Sequence, residues 1–219
     1  MNALAPYTQL VFEGITKLSC IKPWVLVGGT ALSLQLNSRL SEDLDFMNWI
    51  NLPGQKPEVN WVQIEKELFK IGNVEEREIW DFDHVEFVVN KVKISFYASD
   101  KFSPVKNPVH FKNNLTLADL SAIAALKLEV MLRRSNFKDY YDIYSLLLNG
   151  VDLKSSIELA RRYSGKILKT RNILYMLLDS KRFKYDQSFG LLNPVYNVSA
   201  DDIGLYLKDK IATDFKPDL

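Results

Sequence analysis

The chain has 219 residues, of which 47% are hydrophobic and 25% are charged, and its formal net charge is +1. This is the composition of an ordinary globular protein, long enough for one substantial core or two small ones, and the overall charge argues neither for nor against a nucleic-acid partner. A single cysteine, Cys20, excludes an intramolecular disulfide and a cysteine-rich zinc site, and two histidines argue against a histidine-based metal site.

The sequence has no recognisable targeting or membrane segment. Its first residues, MNALAPYTQL, lack a basic stretch followed by an apolar one, and no later stretch reaches the roughly 18 uninterrupted apolar residues of a membrane span. We therefore expect a soluble, cytoplasmic protein with no membrane partner.

The first third of the chain alternates helices and strands. Apolar residues at helical spacing predict a helix that ends before Pro23, and Trp24 to Val27 is typical of a buried strand. Gly28-Gly29 breaks that strand, and helical spacing resumes at Thr30. The order predicted here is therefore strand, glycine turn and helix.

A second group of elements follows. Residues 48 to 59 contain two prolines and a glycine and predict a loop, and the apolar spacing from Trp61 to Ile71 predicts an amphipathic helix. Strands are predicted at 74–80, 85–89 and 92–97, and the last two are separated only by Asn90-Lys91, which favours an antiparallel hairpin.

After the loop at residues 104 to 108, the whole remaining pattern is helical. The predicted helices span 117–133, 137–148, 153–163, roughly 165–182 and 200–213. The sequence thus predicts an α/β domain at residues 1–110 and a helical domain at residues 111–219.

Charge is divided in the same way as the predicted structure. Residues 42 to 86 hold 12 acidic against 4 basic side chains, whereas residues 154 to 184 hold 9 basic against 2 acidic ones. The acidic stretch would suit metal ions and the basic stretch would suit a polyanion. Charged residues that only solvate helix faces explain each stretch equally well.

The glycine turn is the first candidate for chemistry. A glycine pair between a strand and a helix lets the main chain bend tightly and presents unpaired amides where phosphate oxygens bind well. Thr30 adds a hydroxyl at the same place. An ordinary turn, with Thr30 capping the helix, fits the pattern equally well.

The second candidate is the acidic pair Asp43 and Asp45. They alternate with Leu44 and Phe46 on a predicted strand, so both carboxylates face the same side, with Cα atoms about 6.6 Å apart. Two such carboxylates are suited to hold Mg²⁺ against the phosphates of a nucleoside triphosphate. By itself, an acidic strand face exposed to solvent explains the pattern.

The combination is more specific. Gly28-Gly29-Thr30, twelve intervening residues and Asp43-x-Asp45 have the layout of DNA polymerase β-type nucleotidyltransferases. Residues 27 to 46, VGGTALSLQLNSRLSEDLDF, resemble the signature of the AbiEii/AbiGii-type toxin family of type IV toxin-antitoxin systems. Downstream, Lys127 and the element from Lys138 to Asp142 resemble that family's lysine and K-D-x-x-D motif.

The resemblance implies a fold and a set of functional residues. The implied fold is α+β, with a polymerase β-like mixed sheet, flanking helices and an all-helical C-terminal lobe. Nucleotide binding is implied for Gly28, Gly29, Thr30, Arg39 and Ser41, metal binding for Asp43 and Asp45, and catalysis for Asp43, Asp45, Lys127, Lys138 and Asp142. Arg39 is equally explained as an arginine that follows a helix.

Two arrangements are open for the downstream element. On one continuous helix, Lys127, Arg134 and Lys138 share a face from which they can reach phosphates, and Lys138 lies one turn from Asp142. Alternatively Asn136 caps a new helix and Asp139 is its partner three residues on, which is the role we favour for Asp139. The nearby aromatic residues Phe137, Tyr140, Tyr141 and Tyr144 could stack on a base, but core packing explains them better.

One departure from many two-metal nucleotidyltransferases is expected. Where a third carboxylate would stand on a neighbouring strand, within residues 92–97, the sequence has Ser95. A serine cannot replace a bridging carboxylate, so either one metal suffices, or Asp142, Glu86 or Asp100 supplies the charge, or the site binds nucleotide without efficient transfer.

These observations lead to one principal hypothesis and two rivals. The principal one is a Mg²⁺- or Mn²⁺-dependent nucleotidyltransferase that uses ATP, GTP, CTP or UTP. By resemblance, it modifies RNA, such as the end of a tRNA, as a toxin controlled by a cognate antitoxin, usually a transcriptional regulator. The basic stretch from Lys154 to Lys184 is the expected RNA contact, with binding that weakens as salt rises. The rivals are a degenerate nucleotide- or protein-binding module of the same fold and the modification of a protein or antibiotic hydroxyl.

Overall fold

The computed structural model describes residues 3–50, 56–165 and 167–215 of the chain. Its residues form two compact units, Met1–Asp119 and Leu120–Leu219. The first is built on a sheet and the second is helical. Part of the loop predicted at 48–59, and one residue of the helix predicted at 165–182, lie outside the described residues.

The first unit contains a seven-stranded mixed sheet. Its strands run in the order β3-β4-β5-β2-β1-β7-β6, with parallel pairing between β2 and β5 and between β1 and β7 and antiparallel pairing elsewhere. The strands are β1 Val25–Val27, β2 Leu44–Trp49, β3 Val74–Asp81, β4 His84–Val89, β5 Val92–Ser99, β6 Val109–Lys112 and β7 Leu115–Leu117.

Three helices accompany this sheet: α1 Pro6–Lys17, α2 Gly28–Leu36 and α3 Trp61–Leu68. α1 ends before Pro23, as predicted, and a 3₁₀ turn, Ser19–Ile21, lies between them. The core lies on one face of the sheet, where the Phe46 and Phe96 rings stack with centroids 5.1 Å apart. Alternation of buried and half-buried residues along β2 places Leu44 and Phe46 in this core.

The hairpin predicted at Asn90-Lys91 is confirmed. β4 and β5 pair in an antiparallel register, and both turn residues have positive φ, 47° and 67°, which is the backbone geometry of a tight two-residue turn. The mixed α+β fold predicted from the sequence is likewise confirmed.

The prediction that everything after residue 108 is helical is wrong. Strands β6 and β7 form a hairpin there, and β7 pairs in parallel with β1. β6, with the sequence VHFK, alternates apolar and polar residues over only four positions, all of them exposed, and β7 has only three residues. Both strands are too short for this alternation to have predicted them.

The second unit consists of α4 Leu120–Met131, α5 Phe137–Leu148, α6 Leu153–Tyr163, α7 Thr170–Leu178, α8 Gln187–Gly190 and α9 Ala200–Asp214. The predicted helix at roughly 165–182 is shorter than expected, because α7 is followed by a separate 3₁₀ turn, Ser180–Arg182. Side-chain caps at Asn136, Asp152 and Ser199 mark the starts of α5, α6 and α9.

Candidate active site

The turn between β1 and α2 brings the main chain directly against a carboxylate. Gly28 has φ +68°, and a Cβ atom built at this position would lie 2.9 Å from Oδ2 of Asp45. Any larger residue would therefore strain the backbone and press on that oxygen. The tight glycine turn predicted from the sequence is present, with β1 ending at Val27 and α2 beginning at Gly28.

Thr30 does not cap the helix as the ordinary alternative proposed. Its hydroxyl, which is buried, donates a hydrogen bond to the main-chain carbonyl of Asp43 and lies 2.8 Å from the hydroxyl of Ser41. Thr30 and Ser41 thus fix the chain segment that leads into β2. Because both hydroxyls are buried within the protein, nucleotide binding by these two residues stays a prediction.

Arg39 places a guanidinium beside the glycine turn. The side chain is 5% exposed, and its Nη1 donates a hydrogen bond to the carbonyl oxygen of Leu40 at 2.8 Å. A Cβ atom at Gly29 would lie 2.6 Å from Arg39 Nη2. The positive charge of Arg39 is therefore next to the amino end of α2, where the helix dipole also favours an anion.

Asp43 and Asp45 are both half-buried, and they lie on the face of β2 opposite the buried Leu44 and Phe46. Asp43 immediately precedes the strand and Asp45 is its second residue. In the antiparallel register, Asp45 pairs with Val27, the last residue before the glycine turn. The Asp45 carboxylate and the glycine turn therefore lie next to each other.

Ser95 stands beside Asp45, on the neighbouring strand. Asp45 pairs with Ser95 across β2 and β5, and Ser95 pairs with Glu86 across β5 and β4. The Ser95 hydroxyl donates a hydrogen bond to Oε1 of Glu86 at 3.2 Å. A row of three polar side chains thus crosses the face of the sheet that carries Asp45.

The carboxylate of Glu86 already has charged or polar neighbours besides Ser95. Lys93 Nζ and His84 Nε2 lie 3.5 and 3.4 Å from it. Burial by itself would raise the pKa of Glu86, but the charge of Lys93 and the hydrogen bond from Ser95 lower it below the usual value. Glu86 is also two strand spacings, about 10 Å, from Asp45.

Asp100 is no closer to the carboxylate pair. It follows the end of β5, five residues beyond Ser95, which corresponds to about 16 Å of extended chain. Within the described ranges, no cluster of three or more histidine, cysteine, aspartate or glutamate side chains is arranged to hold a metal ion. This leaves Asp43 and Asp45 as the candidate donor set of the first unit. Such a set fits a hard divalent cation that takes its remaining ligands from phosphate and water.

The downstream motif forms a buried charge network in the second unit. Lys127 Nζ lies 2.7 Å from Oδ1 of Asp139 and 2.7 Å from Oδ2 of Asp142. Arg134 donates to both oxygens of Asp139, at 2.7 and 3.0 Å. Lys127 comes from α4 and the two aspartates from α5, so the network joins the two helices.

Asp139 is strongly stabilised as an anion. Burial alone would raise the pKa of Asp139, but the charge of Lys127 and the hydrogen bonds from Arg134 outweigh it and lower the pKa to about 2. The carboxylate is 1% exposed, and it therefore needs both cations to remain charged.

The arrangement on one continuous helix is wrong. α4 ends at Met131, and α5 begins at Phe137, with the side chain of Asn136 accepting a hydrogen bond from the Lys138 amide. The capping role favoured for Asp139 is also wrong, because its carboxylate binds Lys127 and Arg134 instead. Lys138 is half-buried in the first turn of α5 and contributes its charge near Asp186.

Three of the four aromatic residues discussed in α5 belong to the core, as expected. Phe137, Tyr140 and Tyr141 are at most 2% exposed, and Tyr140 stacks on Phe183 with centroids 4.3 Å apart. Base stacking by these three residues is therefore excluded, whereas Tyr144 is half-buried.

A groove of about 730 Å³ lies between helices of the second unit. Three cations of α6 and α7, Lys154, Arg161 and Arg171, line it together with apolar residues and a single acid, Glu158. The Arg171 guanidinium lies over the ring of Tyr175, 5.2 Å from its centroid. Part of the basic stretch predicted to contact RNA thus surrounds one concave surface.

Arg182, in the same basic stretch, has a different role. It donates hydrogen bonds to the main-chain carbonyls of Met131 and Leu132, at 3.1 Å each, and to the hydroxyl of Ser135. Arg182 therefore satisfies free main-chain carbonyls at the carboxyl end of α4.

Among the helices that the structure describes, none is long and apolar enough to cross a bilayer.

Comparison with known proteins places these features in a family. The family model described as "Nucleotidyl transferase AbiEii toxin, Type IV TA system" matches residues 10–203. An uncharacterized protein of Aquifex aeolicus (strain VF5) is 26% identical over 185 residues, which is 81% of each chain.

Several solved structures share the fold, among them MenT4 and JHP933. MenT4, a nucleotidyltransferase toxin of Mycobacterium tuberculosis H37Rv, superposes with a TM-score of 0.61 at 14% identity, covering 97% of this chain and 84% of that one. JHP933 from Helicobacter pylori superposes with a TM-score of 0.53 at 19% identity, covering 98% and 96%. The chain belongs to the AbiEii nucleotidyltransferase toxin family of type IV toxin-antitoxin systems, and it is an enzyme of the nucleotidyltransferase class.

Proposed function

We propose that the enzyme transfers a nucleoside monophosphate from a nucleoside triphosphate to an acceptor hydroxyl at the site formed by the glycine turn and the Asp43–Asp45 pair. The observation that carries this proposal is the 2.9 Å separation between a Cβ built on Gly28 and the Asp45 carboxylate. This separation supports the proposal because the amino end of α2, where an anion would be favoured, is close to Asp45, so that triphosphate and metal would meet there.

The proposed reaction follows from these groups. The amides of the glycine turn and the guanidinium of Arg39 bind the triphosphate and orient it. The acceptor hydroxyl loses its proton to solvent as its oxygen forms a bond to the α-phosphorus, the bond from that phosphorus to the bridging oxygen breaks, and pyrophosphate leaves with the electron pair. Mg²⁺ or Mn²⁺, held by Asp43 and Asp45, would neutralise the charge on the phosphates.

For the second unit, we assign different roles to the two lysines. Lys127 is 9% exposed in its side chain and lies against two carboxylates, so we propose that it positions the start of α5 rather than contacting phosphate. Asp142, which is fully buried, is part of the same positioning network. Lys138, which is half-buried, is the better candidate for a contact with a polyanion.

The acceptor in this proposal is RNA, such as the end of a tRNA. Support comes from the family assignment and from the cations Lys154, Arg161 and Arg171 around the groove of the second unit. In the cell, the activity would be that of a toxin controlled by a cognate antitoxin, a transcriptional regulator.

The transfer is tested with the variant Asp43→Asn/Asp45→Asn. Purified protein is incubated with Mg²⁺, each α-labelled nucleoside triphosphate and total RNA, and parallel reactions contain a protein or an aminoglycoside as the acceptor. Loss of the metal-binding charge is expected to lower transfer by about a thousandfold or more. The matched control Glu75→Gln/Glu76→Gln, which neutralises two exposed acids of β3, should keep wild-type transfer.

Three results would change the conclusion. Transfer that persists in the double variant would remove Asp43 and Asp45 from the site. Absence of transfer by the wild-type protein, with nucleotide binding retained, would favour a binding module of the same fold. Label on the protein or the antibiotic instead of RNA would reassign the acceptor.

A further inference from the structure

Three aromatic side chains form a cluster on the sheet face that also carries Asp45. The Trp80 and His84 rings are nearly parallel, with centroids 6.2 Å apart and an interplanar angle of 17°. The ring of Tyr97 meets His84 edge-on at 5.7 Å. We call Trp80, His84 and Tyr97 the aromatic platform.

The platform is open to solvent. Trp80 is 64% exposed, although it lies within β3 and not in a loop. A large apolar ring exposed on an edge strand keeps its apolar surface in water and can therefore associate with another molecule. The core of the first unit lies on the other face of the sheet and does not use this ring.

The platform is also held in place. The side chain of Trp80 donates a hydrogen bond to the carboxylate of Glu86, which also contacts His84 and accepts a hydrogen bond from Ser95. Trp80 and His84 are therefore fixed to the row that leads through Ser95 to Asp45. An exposed ring that is oriented in advance loses little conformational entropy when a flat ligand stacks on it.

The position of the platform suits a nucleobase. β3 is three strands from β2, so Trp80 lies about 14 Å across the sheet from the carboxylate pair. The surroundings include Glu86 and Glu78, whose charge disfavours a phosphate backbone at this point but not a neutral base. Stacking of bases on exposed aromatic rings is the usual way in which proteins bind single-stranded nucleic acid.

We propose that the aromatic platform is a stacking site for a nucleobase, contributed by the single-stranded end of the acceptor whose hydroxyl reacts at Asp43 and Asp45. This inference rests on the proposed function. The same stacking chemistry would be offered by the base of the incoming nucleotide, but the distance of three strands from Asp45 favours the acceptor.

The test is a fluorescence titration of the full-length protein with a short single-stranded oligoribonucleotide and, separately, with each nucleoside triphosphate. Stacking on Trp80 should quench the tryptophan emission. Trp80→Ala should weaken oligoribonucleotide binding by roughly 5- to 150-fold, the usual effect of losing one stacked base, and Trp80→Phe should retain most of the affinity. Phe82→Ala is the matched control, because Phe82 is another exposed ring, 79% exposed, in the turn after β3. It should bind as the wild type does.

The outcomes separate this inference from the proposed function. Trp80-dependent binding of the oligoribonucleotide supports the platform even if no transfer is found. If Trp80→Ala and wild type bind the oligoribonucleotide and every triphosphate with equal affinity, the inference is overturned, even if transfer is normal. A protein partner would then be the remaining candidate ligand of the platform. If Trp80 matters only for a triphosphate, the assignment to the acceptor is overturned. An unchanged unfolding midpoint of Trp80→Ala shows that the variant is folded.

Discussion

Gly28 combines a backbone conformation that favours glycine with a close approach to the Asp45 carboxylate. Its left-handed φ is a constraint that it shares with Gly150, which has φ +85° in the turn between α5 and α6. The two glycines differ in their surroundings, since a Cβ at Gly150 would have no atom within 4 Å, whereas one at Gly28 would press on the Asp45 carboxylate.

This difference allows strain and function to be separated. Gly28→Ala and Gly150→Ala should each lower the free energy of unfolding by about 1–2 kcal/mol, because alanine is disfavoured in the left-handed region. Only Gly28→Ala should also lower nucleotidyl transfer, on the order of 100-fold, since it displaces the carboxylate. Urea denaturation and transfer assays measure the two effects. Equal transfer by the two variants would show that the contact between Gly28 and Asp45 has no catalytic importance.

The residues of the site differ in how far the sequence predicted them. The glycine turn and the alternation that places Asp43 and Asp45 on one face follow from local patterns, and the structure contains both. The place of Ser95 beside Asp45 depends on parallel pairing of β2 with β5, which joins segments far apart in the chain. The buried bonds of Thr30 and the contact of Arg39 with Gly29 are tertiary contacts of the same kind. No local pattern specifies them.

At the scale of elements, α4 and α5 are joined by charge. Lys127 on α4 contacts Asp139 and Asp142 on α5, and all three side chains are at least nine-tenths buried. The sequence predicted separate helices at 117–133 and 137–148 as one of two arrangements, but it did not predict that these charges pair in the core. α4 ends at Met131, two residues earlier than predicted, where Arg182 binds the carbonyls of Met131 and Leu132.

This network predicts a pH dependence of stability. The pKa of Asp139 is about 2 in the folded protein and near 3.8 when the chain is unfolded, so the stabilisation is complete above pH 4 and is lost as the pH falls towards 2. The loss should be on the order of 2 kcal/mol. Asp139→Asn should be less stable at pH 7 but should lose less stability than wild type between pH 4 and pH 2.

Urea denaturation at several pH values measures the effect, and Asp209→Asn, at an exposed carboxylate of α9 in the same unit, serves as the control. If the free energy of unfolding falls equally with pH for wild type and Asp139→Asn below pH 4, the lowered pKa of Asp139 is contradicted.

At the scale of the whole molecule, the sequence predicted the order of most elements and the overall α+β class. It did not predict β6 and β7, because an exposed four-residue strand and a three-residue strand carry too little pattern. We propose that the two compact units are the nucleotidyltransferase core and helical lobe predicted from the sequence. The core then extends to Asp119, since β6 and β7 complete its sheet.

The basic groove of the second unit predicts how RNA binding responds to salt. Replacing Lys154, Arg161 and Arg171 by glutamine should weaken binding of single-stranded RNA and reduce the slope of log K against log salt by about 2, because each phosphate contact contributes about 0.7. A triple glutamine variant at the exposed Lys22, Lys70 and Lys208 is the charge-matched control. Identical salt slopes in the two variants would exclude the groove as the RNA contact.

Nucleotidyl transfer at the glycine turn and the Asp43–Asp45 pair has a direct isotopic signature. The most direct measurement compares α- and γ-labelled forms of the same triphosphate in reactions of the wild-type enzyme with RNA. Nucleotidyl transfer predicts that the α-label becomes covalently attached to the acceptor, while the γ-label is released in pyrophosphate, and that Asp43→Asn/Asp45→Asn abolishes the attachment. Attachment of the γ-label, or attachment of the α-label by the double variant, would contradict the account.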